Sequence, residues 1–234
     1  MSERIVGILG GMGPEATADL FLRIIRATPA KRDQDHLRVI IYSNSKVPDR
    51  TPAILGKGSS PLPELLRTGR TLEAAGADFI IIPCNTAHYY YDDLVKGLKL
   101  PILHMIRLAA EETRRKSKGI TRAGLLASDG TIASRLYDKA FSGAGIEIVT
   151  PPKDRQADVM RAIYQYIKAG DLDGGDVVLH EVAKELVGAG SEAVICGCTE
   201  VSLVLKEGDL NVPVIDPLQV LAEAAVDYAL GRRK

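Results

Sequence analysis

Apolar and polar positions follow two alternating patterns along the chain. Short runs rich in β-branched residues recur, the clearest being Ile5-Val6-Gly7-Ile8-Leu9, Val39-Ile40-Ile41, Ile80-Ile81-Ile82 and Ala193-Val194-Ile195-Cys196. Runs of this length bounded by turn formers read as strands buried on both faces of a parallel sheet. Weaker runs of the same kind stand at Arg122–Ala127, Ile146–Val149, Pro101-Ile102-Leu103 and Pro213-Val214-Ile215. Between them lie segments with helical spacing, expected over about Pro14–Thr28, Glu64–Ala75, Asp129–Phe141, Asp154–Lys168, Asp173–Gly188 and Pro217–Leu230. In the first, Pro14 suits the start of a helix, where its missing N–H is no loss. Ala18, Phe21, Leu22 and Ile25 form its expected buried face.

The pattern repeats. Ile5–Gly10 parallels Ala123–Ser128, Ile80–Thr86 parallels Val194–Thr199, and Pro101–Leu103 parallels Pro213–Ile215. The expectation is an α/β protein of two pseudo-symmetric domains, each a parallel-sheet α/β sandwich, with the active site in the cleft between them. The expected boundaries are residues 1–102 and 103–213, with a C-terminal helix over 214–234 returning to the first domain. In open α/β sheets ligands sit beyond the carboxyl ends of the strands. There the two halves place Cys84 and Cys198, 114 residues apart in a chain of 234.

Composition narrows the possibilities. Thirty basic residues balance thirty acidic ones, so no net field recruits nucleic acid or an anionic membrane. No apolar run is long enough for a transmembrane helix. The start, Met1-Ser2-Glu3-Arg4, is expected to enter the first strand directly, without a signal peptide. Three cysteines, an odd number, fit a reducing cytoplasm better than a disulfide framework. Residues 46–63 carry four prolines and read as a long functional loop.

Chemistry is concentrated at a few motifs. Gly11-x-Gly13-x-x-Ala16 matches a dinucleotide fingerprint in form only. No acid ends the second strand to bind a ribose, and Glu15 puts negative charge where a pyrophosphate would sit. No nicotinamide cofactor is therefore expected. A zinc site is a poor explanation of Cys196-x-Cys198, which has the wrong ligand gap and no second pair. Cys196 reads as a buried, inert thiol. Cys84 and Cys198 precede Asn-Thr and Thr-Glu at strand ends, where nearby donors are expected to lower a thiol pKa. His36, His104 and His180 read as surface or packing residues, and His88 either orients its loop or packs. Arg50 is either a solvated loop arginine or a fork for a carboxylate, and Lys168 either a helix-end cation or a ligand.

Gly10-Gly11-Met12-Gly13-Pro14-Glu15-Ala16-Thr17, Pro83-Cys84-Asn85-Thr86-Ala87-His88 and Gly197-Cys198-Thr199-Glu200 together resemble the aspartate/glutamate racemase family, and its aspartate racemase branch most closely. The resemblance spans essentially the whole chain. It implies an isomerase needing no pyridoxal phosphate, metal or other cofactor, and a homodimer as the usual assembly. It makes Cys84 and Cys198 the catalytic pair on opposite sides of a substrate Cα. By the same resemblance Asn85, Thr86 and Thr199 hold the substrate's α-carboxylate and amine, Thr131 belongs to a substrate loop, and Met12 lines the cleft. Arg50 and Lys168 match positions that hold a side-chain carboxylate, and the proline-rich loop would close over the substrate.

The reading is therefore a cytoplasmic racemase interconverting L- and D-aspartate, with glutamate also within reach, by two-base proton transfer at Cα. An ordinary α-proton is very weakly acidic, and inversion needs a base on one face and an acid on the other. The alternatives are a glutamate racemase, a hydantoin racemase, an arylmalonate-type decarboxylase, which needs one cysteine only, or a non-catalytic dicarboxylate-binding protein.

Overall fold

The computed structural model describes residues 3–116 and 119–233. Met1 and Ser2 of the expected direct entry into the first strand, and Lys234 at the end of the expected last helix, lie outside them. The chain divides into two compact units, Met1–Leu108 with Leu218–Lys234, and Ala109–Pro217. The change of unit falls inside the helix Met105–Lys116, which the apolar pattern does not announce.

In the first unit, β1 (Val6–Gly10) lies between β2 (Val39–Ser43) and β3 (Phe79–Ile81), all parallel, in the order β2-β1-β3. The expected strand at Pro101–Leu103 reduces to one parallel bridge between Ile80 and Ile102. Side chains alternate across a sheet. Val6, Ile8, Phe79 and Ile81 pack on one face against Leu20, Ile24 and the C-terminal helix Pro217–Ala229 through Leu218, Leu221, Ala222 and Ala225. Leu9, Ile80 and Ile82 pack on the other against Leu65, Leu72 and Leu94.

In the second unit, β4 (Arg122–Leu126), β5 (Glu147–Val149), β6 (Ala193–Cys196) and β7 (Val214–Ile215) are again all parallel, in the order β5-β4-β6-β7. Leu126, Val194 and Cys196 pack on Val159, Ile163, Leu179, Val182 and Leu186 from the flanking helices. Each sheet therefore places a strand beside its first strand and ends it next to a cysteine.

Several sequence expectations are corrected. The helix Pro14–Ala27 buries Ala16, Thr17, Leu20, Arg23 and Ile24, whereas Ala18 and Leu22 are exposed. The i, i+4 row through Ala16, Leu20 and Ile24 meets the sheet; Leu22 misled because single exposed leucines are common. Within the proline-rich stretch a short helix, Arg50–Ile54, forms because the Asp49 carboxylate accepts from the Thr51 N–H at 3.0 Å. The helix expected through Phe141 breaks at Arg135, which adopts a left-handed conformation (φ 53°) between Asp129–Ser134 and Leu136–Ser142. The helix Lys153–Arg161 widens into a π turn, Ala162–Tyr166, and a 3₁₀ turn, Ile167–Ala169, closed by Gly170.

Candidate active site

The glycine-rich turn after β1 is built for close packing of the chain. Gly11 has φ +95°, and a Cβ there would lie 2.3 Å from the Asn44 backbone carbon. A Cβ on Gly10 would lie 2.3 Å from Cγ2 of Thr17. Thr17 Oγ1 accepts from the Gly11 N–H at 2.9 Å and donates to the Gly13 carbonyl at 2.8 Å, holding the turn over the helix start. Asn44, ending β2, donates to Thr68 Oγ1 at 2.9 Å. Gly11→Ala is expected to lower stability by about 2–5 kcal/mol, adding left-handed strain to a backbone clash, as urea denaturation would read it. An unchanged midpoint would contradict this packing.

Arg50 is 8% exposed, and its guanidinium donates to the carbonyls of Met12 at 3.3 Å and Pro48 at 3.2 Å. The structure thus brings Arg50 to the turn that carries Met12. Met12 shares an apolar cluster with Leu9, Val47, Ile80, Ile82, Cys84, Ala87 and Tyr90. Cys84, Asn85 and Thr86 follow β3 in sequence and are all buried. Cys84, 4% exposed, is a free thiol.

His88 lies four residues on, fully enclosed. Its Nδ1 is 2.8 Å from the Cys84 carbonyl, and its Nε2 accepts from the Met105 N–H at 3.2 Å. Burial pulls its pKa from 6.5 down to about 4, against the backbone carbonyls of Cys84, Leu103 and Asn85, which pull the other way. Its ring neighbour His104 is lowered to about 3, first by burial and then by His88 and Arg107. Both imidazoles are neutral when folded and take up protons when unfolded. Their stabilisation is complete above pH 6.5 and is lost as pH falls from 6.5 towards their folded values. Between pH 7 and pH 5 the unfolding free energy is expected to drop by about 2 kcal/mol per imidazole. A flat profile over that range would contradict the burial of neutral rings.

In the second unit, Ser128 caps the helix Asp129–Ser134, accepting from the N–H of Thr131, which is buried. Gln156 donates to the Ala127 carbonyl at 3.0 Å and to Asp129 Oδ1 at 2.8 Å, fixing this turn beyond β4. Beside it, β6 leads into Gly197, whose N–H donates to the Leu126 carbonyl at 2.8 Å. A Cβ at Gly197 would lie 2.4 Å from Leu125 Cδ1 and 2.9 Å from the Ala127 Cβ, so the absence of a side chain there lets the chain leave β6 close to β4.

Cys198 follows, 8% exposed. Its thiol donates to Glu200 Oε2 at 2.8 Å, and the same oxygen accepts from Thr199 Oγ1 at 3.3 Å. The other carboxylate oxygen, Oε1, lies 3.1 Å from Lys168 Nζ, which also sits 5.1 Å above the Tyr164 ring. Burial, and then the Glu200 carboxylate, hold the Cys198 thiol well above its ordinary pKa; Lys168 pulls it down. Desolvation alone would lower the Lys168 ammonium, but Glu200 and Cys198 outweigh it and raise it. The sequence-based expectation of a lowered thiol pKa is thus reversed at Cys198, because burial, and then the facing Glu200 carboxylate, outweigh the Lys168 charge and the Glu200 backbone N–H. Glu200, 5% exposed, is the residue that sequence reasoning passed over. Its signal was an acid two positions beyond a strand-end cysteine. Cys196 is wholly buried at the end of β6, as expected of an inert thiol.

The sequence model of the Asp/Glu/Hydantoin racemase family matches residues 9–225. An aspartate racemase of Picrophilus torridus is 32% identical, with a TM-score of 0.88 over 97% of this chain and 94% of that one. An aspartate racemase homologue of Pyrococcus horikoshii is 28% identical, with a TM-score of 0.77 over 97% and 99%. The broad specificity amino-acid racemase RacX of Bacillus subtilis is 29% identical over 232 residues, 97% of this chain and 99% of that protein.

Proposed function

The chain belongs to the Asp/Glu/hydantoin racemase family, and from that premise we propose that it racemises aspartate without pyridoxal phosphate, using Cys84 and Cys198 on opposite faces of the substrate Cα. The observation that carries this reading is the chain of contacts Cys198–Glu200–Lys168. A buried thiol provided with its own carboxylate partner, itself paired with a cation, has a use in proton transfer and little use in binding alone.

In one direction Cys84, as thiolate, takes the α-proton while the Cys198 thiol delivers its proton to the opposite face. In the reverse direction the starting forms are exchanged: Cys84 has gained a proton from water, Cys198 has lost its own through Glu200 to water, and the Cys198 thiolate removes the α-proton while the Cys84 thiol donates. The Lys168 charge offsets the negative charge shared by sulfur and carboxylate. Asn85, Thr86 and Thr199 hold the α-carboxylate and amine, with Met12 and Thr131 lining the site. Arg50, with its planar fork, is the principal ligand of a side-chain carboxylate, and Lys168 its second.

Substrate range has a second reading with an observation of its own. Because Lys168 is engaged with Glu200, one cation fewer is committed to the substrate side chain. A range wider than acidic amino acids, as the name of the Bacillus relative states for that protein, is then open. The test is incubation of the reduced protein in D₂O, without added cofactor, with aspartate, glutamate and a neutral amino acid in turn. Loss of the α-proton signal together with appearance of the opposite enantiomer is the expected result for aspartate. Neither exchange nor inversion with any of them would overturn the racemase reading.

Lys168→Met, which strands the buried Glu200 carboxylate, is expected to cost about 1–3 kcal/mol of stability, less than a fully buried pair because Lys168 keeps some solvent. Activity on aspartate should fall with it; a variant of unchanged melting temperature would contradict the pairing.

A further inference from the structure

We propose that His88 is a positioning residue for Cys84, a neutral imidazole fixed in its Nδ1–H tautomer that ties the Cys84 backbone to the start of the helix Met105–Lys116. This rests on the reading of Cys84 as a catalytic base. A carbonyl oxygen only accepts, so the 2.8 Å contact with Cys84 requires the proton on Nδ1. An N–H only donates, so the 3.2 Å contact with Met105 requires a bare Nε2. One tautomer of the neutral ring satisfies both, and the cation satisfies only one of them. The ring is 1% exposed, and its plane is held by Tyr91, stacked at 6.4 Å, and by His104 at 4.9 Å.

The consequence is geometric. Cys84 lies beyond the last strand residue, Ile81, and before the 3₁₀ turn Thr86–Tyr90, so no sheet ladder holds its carbonyl. The imidazole supplies that hold and anchors its own far side on the first N–H of a helix, a group otherwise lacking an intrahelical partner. A thiolate must approach a Cα proton within a narrow range of distance and angle, and a misplacement of about 1 Å can cost about 10²-fold. The low basicity of the ring keeps it from acting as an acid or base itself.

The two ring contacts can be removed separately. Asparagine places its amide N–H near the position of Nδ1, retaining the donor to Cys84; glutamine places its amide oxygen near Nε2, retaining the acceptor for Met105. His88→Gln is expected to lower kcat for aspartate about tenfold with KM within about twofold, and His88→Asn to restore kcat to within about threefold of the parent. Both are measured where circular dichroism shows them folded. Equal kcat losses in the two variants, or a Gln variant as fast as the parent, would overturn the proposal. Should both fail to fold, ¹⁵N spectra of the unmodified protein decide: a protonated Nδ1 and bare Nε2, unchanged between pH 8 and pH 5, are expected. The opposite tautomer, or titration in that range, overturns it. An unmodified protein that racemises no amino acid would overturn the racemase reading instead, an outcome distinct from an active protein indifferent to His88→Gln.

Discussion

Cys84→Ala and Cys198→Ala are each expected to lose racemisation of aspartate by about 10²–10⁴-fold, the usual contribution of a positioned acid or base, while each keeps exchange of the α-proton with one enantiomer only. A substrate presents its Cα–H to one side. With Cys198 removed, Cys84 still takes the proton of the enantiomer facing it, exchanges it with D₂O and returns it to the same face. Deuterium enters without inversion. With Cys84 removed, the other enantiomer behaves in this way. Cys196→Ser is the control, since that sulfur sits wholly buried at the end of β6, 3.8 Å from the Leu205 carbonyl and inside the apolar cluster of the second unit. Loss of exchange with both enantiomers in both variants would mean that neither cysteine acts alone on a face, and the two-base scheme would fall. Retained racemisation in either variant would remove that cysteine from the mechanism.

Both parallel sheets were legible in the sequence because β-branched runs ending in turn formers carry a strong local signal: β1, β2, β3 and β6 each coincide with such a run. What escaped depends on contacts distant in sequence or on local capping. The phase of the helix Pro14–Ala27 is not legible in the pattern because Leu22 is apolar yet faces outward. The helix Arg50–Ile54 turns on one side-chain cap from Asp49 within a stretch whose prolines argue for a loop. At the site, Cys84 and Cys198 stand out from their motifs, but the environment of Cys198 does not. Lys168 comes from a turn 30 residues earlier than Cys198, and no linear pattern states that its partner is Glu200. Composition shows that donors and acids follow the cysteine; only geometry shows which of them touches the sulfur.

Glu200→Gln carries the second large effect and separates two roles that the same hydrogen bond admits. If Glu200 only tunes the thiol, its loss removes a group that holds the Cys198 pKa up. More thiolate then forms at a given pH, and racemisation quickens or holds steady. If Glu200 takes the Cys198 proton, glutamine keeps the 2.8 Å contact but cannot accept a proton, and turnover falls by about 10²-fold at pH 7. The fall in kcat/KM must be equal from L and from D substrate, because the enantiomers are equal in energy in water. The asymmetry shows in the isotope instead. Exchange with retention should outpace inversion for the enantiomer that faces Cys84, making Glu200→Gln a partial copy of Cys198→Ala. The deficit should narrow as pH rises, since solvent can then take the proton that glutamine refuses. Alkylation of Cys198 should meanwhile reach its half-maximal rate at a lower pH than in the parent. A variant whose thiol becomes easier to ionise while its turnover falls is explained by proton acceptance and not by tuning; faster turnover with the same shift would assign Glu200 to tuning alone.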